Sequence, residues 1–162
     1  MPKPKKRPLS KCAECGRETP ERVCMTLDGK GSKNCPTLLQ KEALEEANRE
    51  YELPETYEFA QKASMQEADC YANRDQKPYV MQPSKTRIVE IYEFADKMSY
   101  RRLGLAFCIG LAKEAAIVEK ILTDRGFEVV SVLCKAGRTP KEMIGISDKD
   151  KIYRGTDEAM CN

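Results

Sequence analysis

The stretch from Arg102 to Leu133, RLGLAFCIGLAKEAAIVEKILTDRGFEVVSVL, decides how this chain folds. Arg102–Phe107 is a short apolar run bounded by charge, the pattern of a buried strand. In Leu111–Arg125 the residues Leu111, Ala115, Val118, Ile121 and Leu122 recur at helical spacing and define an inward face. Gly126 is placed to end that helix in a left-handed conformation. Phe127–Leu133 is rich in β-branched residues and reads as a second strand. Strand, helix and strand at these lengths make a βαβ unit, so the strands should run parallel with a right-handed crossover. The expected fold class is α/β, with a parallel, Rossmann-like sheet of which this chain holds an incomplete part.

Each strand runs into a cysteine: Cys108 follows the first and Cys134 the second. In a parallel sheet both carboxyl ends lie on one edge, where open α/β folds build their sites. Cys108 also precedes a helix whose free N–H groups favour a thiolate. That suits a metal ligand or a nucleophile, while both cysteines can equally serve as small buried hydrophobes. A dinucleotide fingerprint is missing, because Gly104 and Gly110 do not form the Gly-x-Gly-x-x-Gly turn.

Upstream, residues 37–100 read as a helical segment. Leu39, Ala43, Leu44, Ala47 and Tyr51 give one helix from Thr37 to the residues before Pro54. A second runs from Pro54 towards Tyr71, with Cys70 in its last turn. Ser84 is the expected N-cap of a third, which carries Ile88, Ile91, Tyr92, Ala95 and Met98 on one face. Residues 101–162 hold the βαβ unit and a loop-rich end, with a short helix around Pro140–Ile144.

Residues 12–36 are different. Gly16, Pro20, Gly29, Gly31 and Pro36 interrupt any period, and few apolar residues are available for a core. The segment carries Cys12-x2-Cys15-x8-Cys24-x10-Cys35. A Cys-x2-Cys turn aims two thiolates at one ion, and two more cysteines complete a four-sulfur shell for zinc. The same thiolates suit an iron–sulfur cluster, although the spacing fits no standard ferredoxin pattern. Residues 1–11 contain five basic residues, three prolines and no acid, which reads as a disordered basic tail.

Composition bounds the rest. The chain has eight cysteines and no histidine in 162 residues, so any metal site within it must rest on thiolates. No apolar run approaches the roughly 20 residues needed to cross a bilayer, and no secretion signal opens the chain, so a cytoplasmic protein without a membrane partner is expected. The body carries no basic face, which argues against nucleic acid. The remaining cysteines, Cys70, Cys108, Cys134 and Cys161, are dispersed in sequence. Topology offers a route to bring them together as a second, cofactor-binding group.

The motifs KCAEC, LGLAFCIGLAKEA, GFEVVSVLCKAG, PKEMIGI and the terminal MCN, with Cys24 and Cys35-Pro36, resemble an uncharacterised family of cysteine-rich proteins of anaerobic bacteria and archaea. The resemblance spans about residues 11–162. It implies a metal-binding α/β protein with Cys12, Cys15, Cys24 and Cys35 as its N-terminal motif and Cys70, Cys108, Cys134 and Cys161 as core cysteines. It also implies relatives that continue beyond Asn162, so that this chain looks truncated. No activity follows from it. Three functions are consistent with the residues: a metal-binding protein using zinc or an iron–sulfur cluster, an iron–sulfur redox enzyme or electron carrier, and a cysteine-dependent enzyme acting through Cys108.

Overall fold

A computed structural model of the chain describes residues 9–161. Most of the expected basic tail, residues 1–8, lies outside the described residues. The chain divides into two compact units, residues 1–61 and 62–162.

The first unit is built mostly from turns. Short 3₁₀ turns occupy Cys12–Glu14 and Thr19–Glu21. Helix α1, Pro36–Leu39, opens with proline at its first position, where the missing N–H costs nothing. The single helix expected up to Pro54 is instead broken at Gln40, whose backbone leaves the helical region at φ −120°, ψ 41°. Its side-chain amide reaches Ser10 Oγ at 2.9 Å. The chain resumes as α2, Lys41–Arg49, and ends in a 3₁₀ turn at Glu50–Glu52. Leu38, Leu39, Leu44 and Tyr51 stay exposed. Among the described residues of this unit, Cys35 is the only one that is buried.

Helix α3 runs over Pro54–Asp69, and Cys70 follows its last residue. Helix α4 covers Arg87–Lys97 and starts later than Ser84 suggests. Ser84 is occupied elsewhere: its backbone N–H and its hydroxyl both donate to the Cys70 carbonyl, at 2.8 and 3.1 Å. A tertiary bond has taken the expected cap.

Strand β1 is Arg102–Phe107, helix α5 is Ala112–Asp124 and strand β2 is Glu128–Leu133. The strands pair in parallel with a constant offset, from Arg102 opposite Glu128 to Phe107 opposite Leu133. Gly126 ends α5 with φ +90°, the left-handed position glycine adopts without strain. Tyr92, Ala95, Leu122 and Phe127 form the core of this unit, with Ile88, Val89, Leu103, Val118 and Val129 packed around them. Burying each large member contributes about 1.5–3 kcal/mol. The Arg125 guanidinium lies 4.1 Å from the centre of the Tyr92 ring and covers its face.

Two expectations need correction. Leu111 is exposed, because it belongs to a 3₁₀ turn at Ile109–Leu111 and not to α5 itself. The strands are not buried on both faces either. Leu103 and Val129 meet the core, while Gly104, Ala106, Val130 and Val132 are exposed, Val130 at 54% and Val132 at 48%. Among the described residues no helix is long and apolar enough to cross a membrane.

Candidate metal centre

In the first unit the backbone draws the cysteine segments together. The Cys15 N–H donates to the Cys12 carbonyl at 3.2 Å, closing the Cys-x2-Cys turn, and Gly16 leaves it at φ +63°. The Lys11 N–H reaches the Asn34 carbonyl at 3.3 Å, which ties this turn to the residue before Cys35. Cys24 sits on a loop whose neck is closed by Val23 N–H to Lys30 O at 3.2 Å and Lys30 N–H to Glu21 O at 2.8 Å. Gly31, next to that neck, lies against Cys35: a Cβ there would stand 2.8 Å from Cys35 Cβ and 2.9 Å from its Sγ. At Gly29 a Cβ would come within 2.3 Å of the Arg22 carbonyl carbon. Only glycine permits either approach.

In the second unit Cys108 and Cys134 stand at the carboxyl edge of the sheet, as parallel pairing requires. They follow the last ladder pair, Phe107 and Leu133, and the Cys134 N–H continues the ladder to the Phe107 carbonyl at 2.8 Å. Both border a hollow of about 490 Å³ at that edge, together with Ala106, Phe107, Val132 and Leu133. Cys161 arrives from 27 residues further along, and its Sγ lies 3.7 Å from Cys134 Sγ.

The approach of Cys161 is held by pairings that no spacing announced. Pro140 and Ala159 form an antiparallel bridge, flanked by Lys141 N–H to Glu158 O at 3.0 Å and Met160 N–H to Thr139 O at 2.8 Å. Lys135 Nζ donates to the Ala159 carbonyl at 2.6 Å, and Lys141 Nζ pairs with Glu158 Oε1 at 2.8 Å. The Lys141 ammonium holds the Glu158 carboxyl below the ordinary carboxylate value.

Cys70 is placed differently. It is buried at 4% exposure, and its thiol donates to the Gln66 carbonyl at 2.9 Å. Burial pushes this thiol up from its ordinary value, against the opposing Gln66 amide contact at 3.5 Å. Gln66 is itself buried and fully engaged, donating to Glu93 Oε2 at 2.8 Å and accepting from Lys97 Nζ at 2.5 Å. Lys85 pairs with the same Glu93 carboxylate at 2.6 Å. A thiol in this setting is a poor nucleophile, because deprotonation is costly where water is excluded.

Among the described residues no group of three or more Cys, Asp or Glu side chains stands ready to hold an ion. The structure brings Cys134 and Cys161 into contact and puts Cys108 on one hollow with Cys134, while Cys161 borders a separate one with Lys141, Asp150 and Met160. Cys12, Cys15, Cys24 and Cys35 lie on neighbouring backbone segments without forming such a group.

Residues 35–162 match the family described as protein of unknown function (DUF1847). The matched region begins at Cys35 and takes in Cys70, Cys108, Cys134 and Cys161. An uncharacterized protein of Methanocaldococcus jannaschii is 35% identical over 152 residues, which is 94% of this chain. The chain spans 64% of the length of that relative. No solved structure matches.

Proposed function

The chain belongs to that family of unknown function, and we propose that it is a metal-binding protein with two thiolate sites. One is at the sheet edge, around Cys134 and Cys161; the other is the knuckle of Cys12, Cys15, Cys24 and Cys35. The observation that carries the reading is the 3.7 Å between Cys134 Sγ and Cys161 Sγ. Two metal–sulfur bonds of about 2.3 Å at the tetrahedral angle hold their sulfurs about 3.8 Å apart. The pair therefore has the spacing that one ion imposes on two of its ligands.

Zinc suits this donor set, since four-coordinate thiolate sites without histidine are a common structural form. The iron–sulfur alternative stays open at the sheet edge. A cubane cluster distributes its cysteines over separate irons, so this pair argues against a cubane alone and equally suits two ligands on one iron of a two-iron, two-sulfur cluster. When bound, an ion here supplies cross-linking and Lewis acidity. The protein's own part is to hold Cys161 against Cys134 through Lys135, Lys141 and Glu158.

The knuckle reading draws support from burial. Among the described residues of the first unit the one buried residue is a cysteine, so those residues lack the apolar core that normally pays for chain ordering. A metal supplies that stabilisation in small domains. The test is oxygen-free purification with elemental analysis and a visible spectrum. Zinc should be present, with one equivalent lost in Cys134→Ser or Cys161→Ser and another in Cys12→Ser/Cys15→Ser. A brown protein bleached by reductant would replace zinc with a cluster. A colourless protein that takes up no metal after full reduction would end the proposal.

A further inference from the structure

Cys134 and Cys161 are both free thiols, and their sulfurs stand 3.7 Å apart. A disulfide holds its sulfurs about 2.05 Å apart, so closing this pair takes a movement of about 1.7 Å. Cys161 is exposed and Cys134 half-buried, which leaves side-chain torsions free to supply that movement. The segments that carry them are already in register. Met160 N–H donates to the Thr139 carbonyl at 2.8 Å, and Lys135 Nζ to the Ala159 carbonyl at 2.6 Å. The Lys141–Glu158 ion pair backs this pairing, with the Glu158 side chain only 11% exposed. Two groups held in this way react within one molecule and need not first meet.

The geometry points to Cys134 and Cys161 as a redox-active dithiol that exchanges with a low-molecular-weight disulfide and closes into a disulfide of its own. A hollow of about 320 Å³ beside Cys161, bordered also by Lys141, Ile144, Ile146, Asp150 and Met160, gives the incoming disulfide room to reach that sulfur. Forming the bond does not depend on the metal reading of the sheet edge. Its consequence rests on that reading. Metal is held by thiolates, and sulfurs bonded to each other are no longer thiolates, so oxidation of the pair empties the site.

The step balances as thiol–disulfide exchange. The exposed Cys161, as its thiolate, attacks one sulfur of the small disulfide. The reagent's sulfur–sulfur bond breaks, a mixed disulfide forms on Cys161, and one small thiol leaves. Cys134, as its thiolate, then attacks the Cys161 sulfur and displaces the second small thiol. Two cysteine sulfurs are oxidised, the two reagent sulfurs are reduced, and the two cysteine protons end on the released thiols. An excess of reducing thiol runs the sequence backwards.

The experiment is a time course on the reduced, metal-free full chain with oxidised glutathione, quenched by alkylation and mapped by mass spectrometry without reductant. Among the second unit's cysteines, the first linkage should join Cys134 to Cys161, with the loss of two hydrogens. Cys134→Ser should stop at a single glutathione on Cys161. Glu158→Gln, which unpairs Lys141, should raise the share of that adduct. A first linkage of Cys134 or Cys161 to Cys108 or Cys70, or no linkage at saturating oxidised glutathione, overturns the dithiol. The zinc arm uses a Cys12→Ser/Cys15→Ser chain, in which the knuckle is disabled. It should take up one equivalent of zinc when reduced and none once Cys134 and Cys161 are linked, and dithiothreitol should restore the uptake. A linked chain that still takes up that zinc, or a reduced chain that takes up none, overturns the metal reading of this pair and leaves the dithiol standing.

Discussion

Substituting Gly31 by alanine tests whether the knuckle holds Cys35 where an ion needs it. The added methyl would stand 2.8 Å from Cys35 Cβ, 2.8 Å from Leu38 Cδ1 and 2.9 Å from Cys35 Sγ. Relaxed contacts between carbon atoms lie at about 3.5–4.0 Å, so the methyl overlaps its neighbours by roughly 0.7 Å. Leu38 is exposed and its tip can swing away. Cys35 cannot, because it is buried and its N–H is bonded to the Ser32 carbonyl at 3.1 Å. Overpacking of this kind costs about 1–3 kcal/mol. If that strain falls on the metal-bound state, zinc affinity drops by about 5- to 150-fold. Competition against a chromophoric chelator measures it directly. Gly29→Ala should be worse, since its methyl meets Arg22 backbone at 2.3 Å and the loop neck must open. Gly104→Ala, facing open space on β1, should leave zinc affinity unchanged. A Gly31→Ala chain that binds zinc as tightly as the native one refutes the reasoning.

Other perturbations have clear expected outcomes. Leu122→Ala removes a buried member of the second unit's core and should cost about 2–5 kcal/mol in urea unfolding. The Glu93 carboxyl, held below the ordinary 4.5 first by its bond from Lys85 and then by Gln66, contributes stability that is present above that value. It is lost as pH falls through the lower folded value, so Glu93→Gln should flatten the acid limb of a thermal-unfolding profile below about pH 4.5. In the metal-free reduced chain, mass spectrometry of timed iodoacetamide reactions at neutral pH should find exposed Cys108 modified early and buried Cys70 last. Early labelling of Cys70 would mean that α3 and α4 part readily.

The βαβ unit was legible because local pattern and tertiary outcome agree there. β1 occupies the residues its apolar run marks, and β2 starts one residue later than expected, because Phe127 turns into the core and its N–H caps α5 through the Leu122 carbonyl. The misses have particular causes. Ser84 had the chemistry of a cap, but the Cys70 carbonyl competed for it. Gln40 breaks a helix with no proline or glycine to signal the break. The meeting of Cys134 with Cys161 depends on the Pro140–Ala159 bridge, and two separate residues of an aperiodic loop carry no pattern that would pair them. The parallel topology did place Cys108 and Cys134 on one edge, which periodicity alone was sufficient to say.

The isolation of Cys35 as the one buried residue among the described residues of the first unit bears on how long the protein survives in a cell. The described residues of that unit hold little apolar reserve, so if the knuckle binds an ion as proposed, its resistance to proteases follows the free concentration of that ion. An ion present at a hundred times its dissociation constant adds about 2.7 kcal/mol to the folded form. Depleting it withdraws that protection and leaves the loop between Cys24 and Gly29 as the natural place for the first cut. Metal supply would then govern abundance as well as loading, with turnover as the readout of starvation.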